Sequence, residues 1–348
     1  MANQNTDINI GTVTSIKTPY LIYLGDERDK QLAKTAFGLR DWARDKCVGQ
    51  FRSCKSAVDL GLEEMSFEDA VRKGAKSLII GLATDGGDIP LKWQHDLKSA
   101  LEAGLDIAAG MHTSLKSIPA LVEAAKNANR QLIDIRETSK TFPIATGKKR
   151  TGKRLLTVGT DCALGKKYTA LAIAQALQER NHLASFRATG QTGIMIAGQG
   201  IPIDSVVCDF LAGAAETLSP DNDDNHWDII EGQGSLFHPS YASVSLGLLH
   251  GSQPDAIIMC HDPSRSHIEG LPQFLIPSIP RAISHTLECA RLTNPSVTCI
   301  GVSVNTSTFS PQERSDIIAK IEDETDLPCS DPIAIGVDAF VDALLNIK

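Results

Sequence analysis

The chain has 348 residues, of which 42% are hydrophobic and 22% charged, a composition typical of a folded globular protein. Its formal net charge of −8 argues against nucleic acid or an anionic membrane surface as the main partner, because the summed field would repel both. We find no long apolar run and no charged segment that leads into an apolar one at the start, so we expect no membrane span, no signal peptide and a cytoplasmic location.

The cysteines and histidines do not form a metal or disulfide pattern. Eight cysteines are scattered along the chain without a CxxC pair, which indicates free thiols in a reducing compartment. The nine histidines show neither HExxH nor another metal-ligand spacing. We therefore expect no metal.

The first half of the chain alternates short β-rich runs with helical patterns. Strands are predicted at PYLIYLGD, SLIIGLA, LDIAAG and QLIDIRE, with helices between them. The helix in SFEDAVRKG begins after Ser66 as its N-cap and stops at Gly74. Such alternation predicts a parallel sheet covered by helices. We expect a Rossmann-like α/β half over about residues 19–138.

The stretch from Ser139 to Lys153 is polar and basic, and contains Gly and Pro, which is typical of an interdomain linker. A surface loop within one larger sheet is the alternative. We place a Rossmann-like domain with its linker at residues 1–150 and a second α/β domain at 151–348. In the second domain, strands are predicted at RLLTVGT, ASFRAT, WDIIEG, DAIIMC and VTCIGVSV. Ser310 and Glu313 predict a capping box at the start of a helix.

The stretch LLTVGTDCALGKK predicts a phosphate-binding loop between a strand and a helix. Main-chain N–H groups and the helix dipole favour a phosphate there, and Lys166 adds a point charge. Gly159 and Gly165 permit the close approach and the positive φ angles that such a loop requires. Lys167 stands where a P-loop hydrolase has a metal-binding hydroxyl, so the usual Mg²⁺ site lacks a ligand. A polyanion that is held but not cleaved, such as coenzyme A, fits this loop.

Two segments resemble dethiobiotin synthetase, a P-loop enzyme. GTDCALGKK is similar to its GTDTxxGKT loop, and WDIIEGQGS, which contains Glu231, resembles its VEGAGG segment. The resemblance implies a P-loop NTPase-like α/β/α sandwich for the second domain. The residues expected to hold the cofactor are Gly159, Thr160, Asp161, Cys162, Ala163, Leu164, Gly165, Lys166, Lys167 and Tyr168.

Taken whole, residues 19–348 resemble a family formerly described only as a domain of unknown function, with a Rossmann-like N-terminal half and a P-loop C-terminal half. The motifs that carry the resemblance include TDGGDIP, GLDIAAGMH, LIDIRE, RATGQTG, DFLAGAAE and CHDPSR. Its members include D-glutamate N-acetyltransferases of D-amino-acid catabolism. The resemblance implies acetyl transfer from acetyl-CoA to the amine of D-glutamate, whereas the residues alone indicate only a phosphate-anchored ligand and a degraded metal site.

Acetyl transfer to an amine needs a base for the ammonium proton and donors for the oxyanion. Glu231 is the first candidate base, because it ends a strand predicted to be buried, where lost hydration makes a carboxylate a better base. A structural role is its alternative. His238 and His261 follow, since both lie in turns after strands and imidazole titrates near neutral pH. A solvated or capping histidine is the alternative for each.

A dicarboxylate substrate asks for cationic partners, and the guanidinium fork matches a carboxylate. Arg187, Arg265 and Arg136 all lie at or just beyond predicted strand ends, and Arg187, which opens the ATGQTG loop, is the first candidate; a surface ion pair is the alternative for each. We also expect Gln191, in the ATGQTG loop, and His112, in the N-terminal half, to contact the substrate.

Two further interpretations concern Cys162 and the segment DFLAGAAE. A helix N-terminus and two lysines would lower the pKa of the Cys162 thiol and permit an acetyl-enzyme intermediate, although direct attack of the amine on the thioester is simpler. DFLAGAAE has small residues along one helical face, and the corresponding region of dethiobiotin synthetase helps form a dimer, so the resemblance implies a homo-oligomer, with close helix–sheet packing inside one subunit as the alternative.

Two other functions stay open. One is an ATP- and Mg²⁺-dependent ligase or kinase like dethiobiotin synthetase, with metal held by Asp161 and Glu231. Phosphate release from ATP that Lys166→Ala abolishes would favour it. The other is a non-catalytic protein that senses a nucleotide or an acyl-coenzyme, which would show ligand-dependent thermal stabilisation without turnover.

Overall fold

The computed structural model describes residues 16–82, 87–137 and 141–347. Their contacts divide the chain into two compact units. The N-terminal unit comprises the described residues up to 137 together with Gln191–Ser205, and the C-terminal unit comprises residues 141–190 and 206–347. Each unit has its own sheet.

The N-terminal unit is built on a five-stranded parallel sheet with strand order β2-β1-β3-β4-β5. The strands are β1 (Tyr20–Gly25), β2 (Cys47–Arg52), β3 (Ser77–Ile80), β4 (Asp106–Ala109) and β5 (Leu132–Asp134). β1, β3 and β4 are buried along their whole length, as expected for strands covered on both faces. The four strands predicted in this half are confirmed, and β2 was not predicted.

Four helices alternate with these strands: α1 (Lys34–Trp42), α2 (Phe67–Arg72), α3 (Leu91–Ala103) and α4 (Pro119–Ala128). The predicted cap of α2 is confirmed, because the Ser66 hydroxyl accepts a hydrogen bond from the Asp69 N–H at 3.1 Å. None of the helices in the described part of the chain has the length and apolarity needed to cross a membrane.

The C-terminal unit has a six-stranded parallel sheet with strand order β13-β12-β9-β6-β8-β7. Its strands are β6 (Lys153–Gly159), β7 (Ala184–Arg187), β8 (Trp227–Ile230), β9 (Ala256–His261), β12 (Thr298–Val304) and β13 (Cys329–Ser330). An antiparallel hairpin, β10 (His267–Ile268) and β11 (Leu271–Leu275), follows β9. The five strands predicted in this half are confirmed, and the hairpin and β13 were not predicted.

The helices that follow β6 in chain order are α5 (Lys166–Glu179), α6 (Gln191–Ala197), α7 (Cys208–Leu218), α8 (Ala242–Ser252), α9 (Ile279–Arg291), α10 (Pro311–Thr325) and α11 (Asp338–Leu345). One face of α5 packs in the core of the C-terminal unit, where Ile173 and Leu177 join Leu155 of β6 and Phe340 of α11. This packing fixes the start of α5, and with it the phosphate loop, at the carboxyl end of β6.

The segment Gln191–Ser205 follows β7 in sequence but packs within the N-terminal unit. Ile194, Met195 and Ile196 of α6 are buried. The Thr192 hydroxyl lies 2.8 Å from the Thr35 hydroxyl, and Lys46 Nζ donates to the Ile196 carbonyl at 2.7 Å. The domain boundary at residue 150 stays a prediction, and this excursion of the chain was not foreseen.

The small residues of α7 and α8 allow the two helices to approach closely. A Cβ atom on Gly251 would lie 2.1 Å from the Ala212 carbonyl oxygen, and one on Gly247 would lie 2.5 Å from a methyl carbon of Leu211. A Cβ on Gly213 would lie 1.7 Å from the Pro143 carbonyl oxygen. The small side chains of DFLAGAAE therefore pack inside one chain, against α8 and Pro143 rather than the expected sheet, and the homo-oligomer stays a prediction.

Candidate functional site

The phosphate loop joins β6 to α5 at the carboxyl edge of the C-terminal sheet. Gly165 is the N-cap of α5 and has a φ of 98°, a left-handed conformation that favours glycine, as predicted. At Gly159 the loop folds tightly, because an added Cβ would lie 3.1 Å from the Asp161 carbonyl oxygen and 3.2 Å from Lys166 Nζ. The loop is thus wrapped around the Lys166 ammonium.

Lys166 is buried, and its Nζ donates to the Asp161 carbonyl at 2.8 Å. Burial lowers the pKa of this ammonium, and Cys260, Cys162 and Asp161 oppose that effect. A buried cation is stabilised by an incoming anion, since the anion replaces the lost hydration. The loop therefore has the electrostatics of an anion site.

The hydroxyl of Thr169 does not replace the missing metal ligand. Thr169 is fully buried, and its Oγ1 lies 2.8 Å from the Ser303 hydroxyl and 3.1 Å from the Gly165 carbonyl, to which it donates. Lys167 occupies the usual hydroxyl position, and its Nζ lies 5.1 Å from the centre of the Tyr168 ring. The geometry agrees with a loop that lacks a metal-binding hydroxyl.

Asp161 lies inside the loop and is fully buried. Its Oδ2 accepts a hydrogen bond from the Glu269 N–H at 2.8 Å and lies 3.4 Å from Arg265 Nη1. Its Oδ1 has no hydrogen-bond partner among the described residues. A carboxylate oxygen of Asp161, Sγ of Cys162 and a ring nitrogen of His238 lie within 4.8 Å of one another.

Arg265 holds the phosphate loop through hydrogen bonds to two of its carbonyls. Its guanidinium donates to the Cys162 carbonyl at 3.0 Å, to the Ala163 carbonyl at 3.3 Å and to the Glu269 carboxylate at 3.0 Å. Its predicted contact with a substrate carboxylate stays a prediction. Glu269 was missed because the β10–β11 hairpin, whose turn contains it, was not predicted. The alternation HIEGLPQFL around a Gly is the signal that could have found it.

The two predicted catalytic histidines both lie near the loop. His238 is buried, and its Nδ1 accepts a hydrogen bond from the Ser240 N–H at 3.1 Å. Since a main-chain N–H can only donate, the neutral imidazole carries its proton on Nε2. His261 Nδ1 lies 3.0 Å from the Thr160 hydroxyl. Burial lowers the pKa of His261, and the neighbouring Asp262 partly opposes this.

Glu231 is buried beyond the end of β8. Its Oε2 accepts hydrogen bonds from the N–H groups of Thr189 and Gly190, both at 3.0 Å. The Thr189 hydroxyl in turn donates to the Glu231 carbonyl at 2.7 Å. The carboxylate thus holds the turn after β7 in place, which is a structural role of the kind given as the alternative to a catalytic base. Its assignment as the base stays a prediction.

The remaining predicted substrate contacts have other partners in the structure. Arg187 Nε donates to Asp228 Oδ1 at 2.7 Å, and its side chain is only 11% exposed. In the N-terminal unit, Arg136 Nη2 lies 2.7 Å from Asp204 Oδ2.

His112 and Gln191 also belong to the N-terminal unit. His112 is exposed beside Gly87, and Oε1 of Gln191 is buried beside Gly110 without a hydrogen-bond partner among the described residues. The proposed substrate contacts of Arg187, Arg136, His112 and Gln191 stay predictions.

The interpretation of Cys162 as an activated thiol was wrong about the direction of its pKa. Burial raises the pKa of Cys162 to about 11, and the Asp161 and Glu269 carboxylates add to this increase. Lys166 and Arg265 lower it by less. The lysine and the helix start are present as expected, but desolvation outweighs them even though Cys162 is only half-buried.

Within the described ranges, only Asp161, Cys162 and His238 form a group of His, Cys and carboxylate side chains close enough to hold a metal ion. A histidine that binds a metal through one ring nitrogen normally donates a hydrogen bond from the N–H of the other. In His238, Nδ1 instead accepts a hydrogen bond from the Ser240 N–H, so the ring proton is on Nε2. The guanidinium of Arg265 also lies 3.4 Å from the Asp161 carboxylate. This donor set fits a metal ion poorly.

Comparisons with known proteins agree on one family. Residues 143–341 match the family model described as "Domain of unknown function (DUF1611_C) P-loop domain", and residues 51–138 match the one described as "Domain of unknown function (DUF1611_N) Rossmann-like domain". A crystal structure of a DUF1611 family protein from Anabaena variabilis superposes with a TM-score of 0.85 at 32% identity, and covers 94% of this chain and 99% of its own.

Two curated relatives have the same name, "D-glutamate N-acetyltransferase". The protein from Tritonibacter scottomollicae is 48% identical over 332 residues, which is 95% of this chain and 100% of the relative. The one from Pseudoalteromonas sp. is 47% identical over 326 residues, which is 94% of this chain and 98% of the relative. The chain therefore belongs to the DUF1611 family, with a Rossmann-like N-terminal domain and a P-loop C-terminal domain, as its motifs predicted.

Proposed function

We propose that the chain is a D-glutamate N-acetyltransferase, an acyltransferase that moves an acetyl group onto the amine of D-glutamate. The observation that carries this proposal is the sequence identity to two proteins of that name, 48% and 47% over nearly the full length of the chain. Identity at this level over both units favours a shared reaction rather than a shared fold alone.

The acetyl donor in this proposal is acetyl-CoA, with its phosphates in the phosphate loop. The buried ammonium of Lys166, the main-chain N–H groups and the start of α5 suit a polyanion. The net charge of −8 would repel this ligand at a distance, so the favourable interaction must be local. Nothing in this arrangement requires the phosphates to be cleaved.

The reaction needs an unprotonated amine and a stabilised tetrahedral oxyanion. The amine attacks the thioester carbon, the C–S bond breaks, and coenzyme A leaves as a thiol once it receives a proton. Nε2–H of His238 is a fixed donor that suits a developing oxyanion. Because the pKa of the Cys162 thiol is raised to about 11, direct attack by the amine is favoured over an acetyl-Cys162 intermediate.

The cytoplasmic location and the homo-oligomer remain part of the proposal. Eight free cysteines are consistent with a reducing compartment. The face of α7 that suggested a subunit contact packs inside the chain. Light scattering of the purified protein would therefore be the test of the homo-oligomer.

The proposal is tested by thiol release from acetyl-CoA with a panel of D- and L-amino acids. We expect release with D-glutamate and a much lower rate with L-glutamate, and release with no amine would contradict the transferase. Lys166→Met should raise the Kd for coenzyme A at least tenfold, because it removes the buried cation. Lys320→Met, which removes an exposed cation from α10, is the matched control and should leave the Kd unchanged.

A further inference from the structure

The two oxygens of the Asp161 carboxylate have different surroundings, although the side chain is fully buried. Oδ2 receives the Glu269 N–H at 2.8 Å and lies 3.4 Å from Arg265 Nη1. Oδ1 has no hydrogen-bond partner among the described residues. A buried acceptor without a donor costs free energy, and such an atom in a native protein calls for a specific role. Oδ1 therefore suits an incoming donor.

The side chains beside this carboxylate are themselves donors. The pKa of Cys162 is raised to about 11, so its sulfur is a thiol near neutral pH. His238 has Nδ1 occupied by the Ser240 N–H and so carries its proton on Nε2. Among the described residues, Oδ1 of Asp161 is the acceptor oxygen of this cluster that has no hydrogen-bond donor, whereas Nδ1 of His238 has one.

The charged neighbours of Asp161 come from three parts of the unit. Lys166, at the start of α5, bonds the Asp161 carbonyl, and Arg265 lies 3.4 Å from the carboxylate. The carboxylates of Glu269 and Asp262 lie 3.0 and 3.6 Å from the Arg265 guanidinium. Arg265 is thus shared by three carboxylates.

We propose that Asp161 is the general base of the acetyl transfer, and that its Oδ1 takes a proton from the ammonium of the amino-acid substrate. This inference rests on the proposed function. The amine left behind attacks the thioester carbon and forms the C–N bond. The C–S bond then breaks, the thiolate takes the second proton of the nitrogen, and Asp161 releases the first to solvent. No oxidant, reductant or metal is required.

Asp161 is favoured over Glu231 by their hydrogen bonds. Oε2 of Glu231 accepts two main-chain N–H groups at 3.0 Å, whereas Oδ2 of Asp161 accepts one, from Glu269, at 2.8 Å, and each such bond stabilises the carboxylate against protonation. Oδ1 of Asp161 has no such bond among the residues described. If the phosphates occupy the loop, the flexible pantetheine arm must fold back to bring the thioester to Asp161.

The test is Asp161→Asn, which preserves the shape of the side chain and removes the base. At pH 7.5 we expect kcat to fall at least about 100-fold while the KM for acetyl-CoA changes less than about threefold. The residual rate should rise about tenfold per pH unit, because solution then supplies the free amine. The wild-type rate should rise much less over the same range. If Asp161→Asn does not fold, formate should restore the rate of Asp161→Ala.

Glu324→Gln is the matched control, since it removes one exposed carboxylate of α10 that has no part in the proposed site, and it should keep both the wild-type rate and its pH profile. The inference is overturned if Asp161→Asn keeps the wild-type rate, or if its rate falls without the steep rise with pH. The same rise in Glu231→Gln but not in Asp161→Asn would assign the base to Glu231. A wild-type protein inactive with every amine would overturn the proposed function, and the inference with it.

Discussion

Single main-chain N–H groups decide what several polar side chains of this site can do. The Ser240 N–H fixes the proton of His238 on Nε2, and the N–H groups of Thr189 and Gly190 hold Glu231. A residue type sets the range of chemistry, whereas its backbone partner selects one role within that range. The sequence therefore ranks Glu231 first as the catalytic base, whereas the hydrogen bonds of the site led us to propose Asp161.

A prediction at this scale concerns His226, which lies outside the proposed site. Burial lowers its pKa below the ordinary 6.5, and Asp228 opposes this only in part. Below pH 6.5 the unfolded chain thus binds a proton that the folded chain resists, so the free energy of unfolding falls as the pH falls. The loss cannot exceed about 1.4 kcal/mol per pH unit for this one group.

The measurement is urea unfolding of the wild type and of His226→Gln at pH 7.5 and 5.5. We expect the wild type to lose more stability than the variant over this range. Equal losses in the two proteins would show that His226 is protonated as readily in the folded chain as in the unfolded one.

At the scale of elements, α10 shows a local signal that needs no tertiary help. The Ser310 hydroxyl accepts from the Glu313 N–H at 3.3 Å, and the Glu313 carboxylate accepts from the Ser310 N–H at 2.8 Å. This confirms the predicted capping box. Ser310→Ala should lower the free energy of unfolding by about 1 kcal/mol, because it leaves a helix N–H without its acceptor.

Chemical denaturation measures this change. Ser315→Ala is the control, because Ser315 is exposed in the same helix and its hydroxyl bonds only the Pro311 carbonyl among the contacts described. Its effect should stay within about 0.5 kcal/mol. A loss at Ser315 as large as that at Ser310 would contradict the role of the cap.

The elements that the sequence did not predict are those whose local signal is weak. β13 and β10 have two residues each, and β2 (CVGQFR) mixes polar and apolar residues. β2 and β13 pair with long buried strands, β1 and β12. Pairing with an existing strand, rather than intrinsic preference, makes such segments strands.

At the scale of the whole molecule, the segment Gln191–Ser205 lies in sequence between parts of the C-terminal unit but belongs to the N-terminal unit. The two units are therefore not two separate stretches of sequence. A fragment of residues 141–348 would lack the surface that buries Ile194, Met195 and Ile196. We expect this fragment to expose them and to be cut within residues 191–205 by a protease at least tenfold faster than the full chain. Mass spectrometry of the products locates the cut. Equal resistance in fragment and full chain would show that the segment is protected without the N-terminal unit.

The sequence by itself determined the α/β class, nine of the strands, the phosphate loop and the family. These depend on local patterns, which are short in sequence: apolar runs, glycines at a tight turn, and a lysine at the start of a helix. Only the tertiary structure decided the raised pKa of Cys162, the tautomer of His238 and, among the described residues, the lack of a hydrogen-bond partner for Oδ1 of Asp161. The physical reason is that burial and hydrogen-bond partners come from chain segments far apart in sequence, such as Asp161 and Glu269.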